Sequence, residues 1–247
     1  DVSHHQGTVN FEEVASSGMR FAICKITEGV SYTDPKFYEN WAKLVDLGHE
    51  RIYRGAYHYA RPSSTGGSAD GEAEARDFCA ALKKAGHYGT GALPPALDFE
   101  EYSDSDGNQN IPWIKAFVNV VQQELERQPM VYTGANVWRY EVANTSEFVS
   151  LPLWQVYYSA SATQPTAMPW PTWTFWQWSG GGQFAYHGPV PGIPGSGICD
   201  VNRFNGSEAD LAALAKVPPT TQSFPKPPLP QDLAELRDRV TETTLRV

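Results

Sequence analysis

Asp98 and Glu100 stand two residues apart at the end of the run Ala92-Leu93-Pro94-Pro95-Ala96-Leu97. In a strand, residues i and i+2 share a face, with Cα atoms roughly 6.5–7 Å apart. Two carboxyls so placed repel, and one holds its proton more tightly than the other. A protonated acid beside an ionised neighbour is the equipment for cleaving a glycosidic bond. Alone, a D-x-E pair is a weak signal, because most such pairs are solvated surface acids. The rest of the chain has to carry this one into a cleft.

Two more acids flank similar segments: Asp1 opens the chain in Asp1-Val2-Ser3-His4-His5-Gln6-Gly7, and Asp200 follows Ile198-Cys199. Between them lie short apolar or aromatic runs at 21–29, 54–59, 130–134 and 153–158, each meeting polar or glycine residues at its end. Apolar residues at helical spacing predict helices over 34–48, 70–85 and 112–127, the last opening at Pro112. Strands alternating with helices imply a parallel β/α barrel, whose strand ends converge on one functional face. Beyond about residue 150, Trp, Tyr, Pro and Gly dominate and helical periodicity fades. The expected fold is therefore α/β, a modified TIM-like barrel lacking helices on its last strands.

The segments D-V-S-H-H-Q-G (1–7), K-I-T-E-G (25–29), D-P-K-F-Y-E-N-W (34–41), G-A-Y-H-Y-A-R-P (55–62), L-D-F-E (97–100), V-Y-T-G (131–134), L-W-Q-V-Y (153–157), W-Q-W-S (176–179) and C-D-V-N-R-F (199–204) occur in this order. In this the chain resembles the glycoside hydrolase family 25 lysozymes, N-acetylmuramidases of phage lysins and secreted enzymes, over about residues 1–215. The resemblance implies hydrolysis of the β-1,4 bond between N-acetylmuramic acid and N-acetylglucosamine in peptidoglycan. It implies no cofactor, and residues ahead of Asp1. Glu100 is then the general acid. Asp98 is either base or nucleophile, or steadies a substrate 2-acetamido group acting as nucleophile. Asp1 and Asp200 tune the pair from strand ends at the same mouth. Lys25, Tyr57, Tyr132, Trp154, Tyr157 and Gln177 hold the sugar. Glu28 reads as structural. The connection from Ser179 to Ile198 is longer than usual for the family, which leaves Gln183–His187 unassigned. A non-catalytic glycan-binding barrel, or a structural component of a phage or wall assembly, is the alternative.

A net charge of −9 argues against nucleic acid and against a cationic lysozyme drawn to an anionic wall. No apolar run approaches the ~20 residues of a membrane helix. Cys24, Cys79 and Cys199 read as buried free thiols, and no spacing suggests a metal. His4 and His5 read as structural or groove-lining. Eight tryptophans exceed the needs of the core, so about half are expected to line a groove. The barrel is expected to span 1–216 and to be monomeric. A stiff proline-rich linker spans 217–230. An amphipathic segment at 231–247, with Leu233, Leu236 and Val240 at spacings of three and four, is a candidate for assembly.

Overall fold

The computed structural model describes residues 1–64, 67–86, 88–101, 107–161 and 163–218. The predicted linker beyond Pro218 and the heptad segment lie outside the described residues.

Eight strands form one curled sheet: β1 (Phe21–Glu28), β2 (Tyr32–Thr33), β3 (Tyr53–Tyr59), β4 (Ala96–Asp98), β5 (Met130–Gly134), β6 (Leu153–Val156), β7 (Phe175–Ser179) and β8 (Val201–Phe204), in the order β2-β1-β3-β4-β5-β6-β7-β8. The pairs from β1/β3 through β6/β7 are parallel. β2 and β8 run antiparallel to their neighbours. The chain therefore departs from an all-parallel barrel. The reversal of β8 has a consequence for the site: its N-terminal end, where Asp200 sits, lies at the same rim as the C-terminal ends of the parallel strands.

The N-terminal segment spans the gap between β8 and β1. The Asp1 backbone nitrogen donates to the Asp200 carbonyl (2.7 Å), the Val2 N–H to Ile23, and the Lys25 N–H to Val2. Strand alternation then sorts side chains into two cores. Inside the barrel lie Ile23, Tyr53, Ala96, Met130, Tyr132, Trp154 and Phe175, with Leu211 and Ala215 beneath them. Outside, Ala22, Cys24, Ala56, Leu97, Val131 and Trp176 meet the helices.

Those helices are α1 (Phe11–Ser16), α2 (Phe37–Leu47), α3 (Gly67–Ala85), α4 (Gly107–Leu125), α5 (Ala135–Glu141) and α6 (Glu208–Leu214). Among the described residues no α-helix follows β6 or β7, only a short 3-10 turn at Gly182–Phe184, as expected of this modified barrel. The helix predicted from residue 34 begins at Phe37, because the Asp34 carboxylate accepts from the backbone of Lys36 and His4 and holds a turn there. The third begins five residues before Pro112, which lies inside it. Its early turns are held by tertiary contact: the buried Asn110 side-chain amide donates to the Glu141 carbonyl at 2.8 Å. α3 and α4 pack through Phe78, Trp113 and Phe117, the last two rings stacked at 5.5 Å.

The expected split of the tryptophans does not occur. Trp41, Trp113, Trp138, Trp154, Trp170, Trp173 and Trp176 are all buried, leaving Trp178 partly covered. Burial is tolerable because indole N–H groups find acceptors: Trp41 donates to Gly86, Trp138 to Thr145, Trp170 to Leu151 and Trp176 to Tyr157. The three cysteines are free and buried, and burial pushes the Cys24 thiol up to about 12. Near the end of the described residues Val217 packs, partly buried, against the inner core and its N–H donates to the Ala212 carbonyl. Among the described residues no helix is long and apolar enough to cross a membrane.

Candidate active site

Alternation along β4 puts Ala96, Asp98 and Glu100 on the inner face and Leu97 and Phe99 on the outer one. Phe99 packs against Trp113, and Ala96 lies in the inner core. Asp98 is thus carried into the barrel mouth by a strand whose other face is anchored among helices. Burial pushes its carboxyl well above the ordinary range, and the neighbouring Glu100 pushes it further. One of its oxygens, Oδ1, is buried with no hydrogen-bond partner among the described residues. Burial also raises Glu100; hydrogen bonding with Tyr132 offsets part of that rise, and the charge of Asp200 adds to it. Asp200 is raised by its own burial. The three carboxyls crowd one space, so they cannot all ionise freely, and as a group they hold their protons more tightly than separate carboxyls would.

Asp1 lies deeper than the rim position expected for it, level with the middle of β1 through the Val2–Cys24 pairing. Its Oδ2 accepts from Gln177 Nε2 (3.0 Å) and Asn202 Nδ2 (2.8 Å). Gln177 Oε1 accepts from the hydroxyls of Tyr132 (2.9 Å) and Tyr158 (3.0 Å). Asn202 Oδ1 accepts from Trp154 Nε1 at 2.7 Å. These bonds make a continuous floor from β5 through β6, β7 and β8 to the first residue. Trp154 belongs to its underside, with the rings of Tyr57 and Tyr132 against it at 6.2 and 4.7 Å. Burial and then the nearby carboxylates raise the Tyr57 hydroxyl well above its ordinary value, so it faces the acids as a neutral donor.

The opposite rim is charged. Lys25 Nζ donates to Glu28 and lies over the Tyr59 ring at 4.5 Å. Arg61 bridges Glu28 and Glu101, and the Tyr59 hydroxyl donates to Glu101 at 2.8 Å. Burial alone would raise Glu28; its bonds to Lys25 and Arg61 outweigh that and hold it below its ordinary value. Glu28 is therefore an ionised partner for two cations. His4 is tied to Asp34 through Nδ1 at 2.7 Å and packs on the His5 ring.

The structure thus brings together Asp1, Asp98, Glu100, Asp200, Tyr57, Tyr132, Trp154 and Gln177, with Lys25 at the rim. It leaves Tyr157 outside: that side chain is half-exposed. Its neighbour Tyr158 reaches Gln177 instead, and its hydroxyl is raised by burial and by Asp200, Glu100 and Asp98. Strand parity contained this answer, since Trp154 and Tyr158 are four residues apart and share a face. Asn202 was missed as well, although it stands two residues from Asp200 within the C-D-V-N-R-F segment.

The profile of glycosyl hydrolases family 25 matches residues 1–187. This chain belongs to that family. The glycoside hydrolase is 35% identical to Lysozyme M1 of Streptomyces globisporus over 223 residues, which cover 87% of this chain and 70% of that protein. It is also 35% identical to the N,O-diacetylmuramidase of a Chalaropsis species, covering 79% of this chain and 93% of the relative. Among solved structures, the bacterial lysozyme of Streptomyces coelicolor superposes with a TM-score of 0.74 at 35% identity, covering 87% of this chain and 95% of that one.

Proposed function

We propose that this family 25 hydrolase is a lysozyme that cleaves the β-1,4 bond between N-acetylmuramic acid and N-acetylglucosamine in peptidoglycan. Glu100 serves as general acid, and configuration is retained through the substrate's own 2-acetamido group. The observation that carries this reading is the acid pair at the end of β4, Asp98 buried and Glu100 partly buried, with both carboxyls raised. A carboxyl that holds its proton above the ordinary range is suited to deliver it to a leaving oxygen. Both acids approach from one wall, so attack on the far face of the sugar needs another nucleophile, and the 2-acetamido oxygen is available there.

Asp98 then steadies the acetamido group. Its unpartnered Oδ1 is an acceptor waiting for a donor, and the N–H of a bound 2-acetamido group is one. That bond strengthens as positive charge develops on the group, which favours the transition state over the ground state. Asp1, locked between two amides, and Asp200 set the field around the pair. Lys25, Tyr57, Tyr132 and Tyr158 orient the sugar, while Gln177 and Trp154 hold the tyrosines. The names of the relatives in Streptomyces and Chalaropsis support a muramidase acting at the bacterial cell wall. The catalytic barrel is read as monomeric, residues 217–230 as a linker, and residues 231–247 as a candidate segment for assembly. A non-catalytic barrel is disfavoured by the retention of all four acids.

Proton NMR of the first product from a defined oligosaccharide tests the mechanism. The retained anomer is expected, with no covalent sugar adduct on the protein. An inverted first product would reject acetamido participation and point to direct attack by water.

A further inference from the structure

The turn that follows β7, Gly180–Tyr186, carries two exposed aromatic rings, Phe184 and Tyr186. The Phe184 ring stacks on Tyr158 with centroids 4.8 Å apart and planes at 18°. Tyr158 in turn donates into the site floor at Gln177. Phe184 therefore stands one ring removed from the floor that holds Asp1. Tyr186 meets Phe184 edge-on at 6.4 Å. No residue from Gly180 to Tyr186 is charged.

The turn is built to hold these rings still. Ser179, buried at the end of β7, donates its hydroxyl to the Phe184 carbonyl (3.2 Å) and accepts from the His187 N–H (2.9 Å). The Gly180 N–H donates to Phe184 and the Phe184 N–H to Gly181, closing a tight loop. Gly180 lies so close to Tyr158 that an added Cβ would meet its ring at 2.8 Å. A rigid aromatic surface loses little freedom on binding. An enzyme that cuts within a polymer must also accommodate sugars beyond the pair it cleaves.

We infer that Phe184 and Tyr186 form an additional sugar subsite, a platform on which a pyranose ring of the glycan strand outside the cleaved disaccharide packs its C–H face. The inference rests on the proposed glycan-hydrolase reading and extends it. A neutral aromatic pair suits a sugar ring, which offers apolar C–H faces and edge hydroxyls. It offers nothing to the charged lactyl or peptide groups of the wall. Rings of this kind contribute roughly two- to tenfold each in affinity.

The test compares Phe184→Ala, Tyr186→Ala and Phe184→Trp with the unaltered protein on muramic acid–glucosamine oligosaccharides of increasing length and on uncrosslinked glycan strands. The alanine variants are expected to lose two- to tenfold more of kcat/KM on long strands than on the shortest cleaved oligosaccharide. That loss should appear as a rise in KM with kcat held, and Phe184→Trp should restore the length dependence. Equal loss at every length, or a fall in kcat at constant KM, would make Phe184 a mere support for Tyr158 and overturn the subsite. So would an unchanged length dependence. Failure of the unaltered protein to cut any of these glycans would sink the functional reading itself, a result distinct from the other three.

Discussion

Replacing Asp98 by Asn should stabilise the protein at neutral pH while removing its activity. Asp98 is buried, and its carboxyl is raised by that burial and then by Glu100. A carboxyl whose value is higher in the folded than in the unfolded chain binds its proton more tightly when folded. Its contribution is therefore fully present below about pH 4, the unfolded value, and is lost as pH climbs through the folded value. Each unit of elevation corresponds to about 1.4 kcal/mol lost at high pH. For a domain of this size that amounts to about 3–6 °C in melting temperature per unit. Asparagine does not ionise and escapes the loss, and its amide supplies a donor to the adjacent carboxylates. Thermal melts should therefore show Asp98→Asn several degrees above the unaltered protein at pH 7.5 and level with it at pH 4. A variant that melts lower at pH 7.5, or is shifted equally at both pH values, would refute the picture of a desolvated carboxyl held against its neighbours.

Glu100→Gln should fold normally and lose ~10²–10⁴-fold in kcat, the range for a general acid; turnover near the unaltered rate with intact melting would remove Glu100 from that role. Asp98→Asn should lose activity to a similar extent on the same substrates. Tyr158→Phe should cost roughly tenfold in kcat/KM, since it removes one hydroxyl bond to the Gln177 side chain, whereas Tyr157→Phe should cost less than twofold; the reverse order in a steady-state assay would reject the assignment by strand parity. A chain ending after Pro218, which keeps Val217 against the inner core, should hydrolyse soluble fragments like the full chain and run as a monomer on size exclusion. Loss of folding or activity would show that the later residues belong to the barrel.

The acid pair was legible because two simple regularities coincide there: period-two alternation and an apolar run ending in carboxylates. The missing later helices were legible for a similar reason, since Pro, Gly and aromatic residues after position 150 leave no helical stripe. Other features depend on partners distant in sequence. The antiparallel sense of β8 follows from its pairing with β7 and is not written in Val201–Phe204 alone. Asn202 matters only because Asp1, 201 residues away, and Trp154 converge on it. The tryptophans misled because their number says nothing about where their N–H groups find acceptors, and backbone carbonyls inside the fold supplied most of them. Likeness of motif points to Tyr157, whereas alternation from Trp154 points to the next residue, Tyr158.

The central claim is that the Asp98–Glu100 site cuts on the reducing side of muramic acid. Mass spectrometry of borohydride-reduced peptidoglycan digests tests it most directly. Muropeptides bearing reduced muramic acid are expected, and they should be absent from a digest with Glu100→Gln. Fragments ending in reduced glucosamine, or reduced muramic acid ends formed equally by Glu100→Gln, would contradict it.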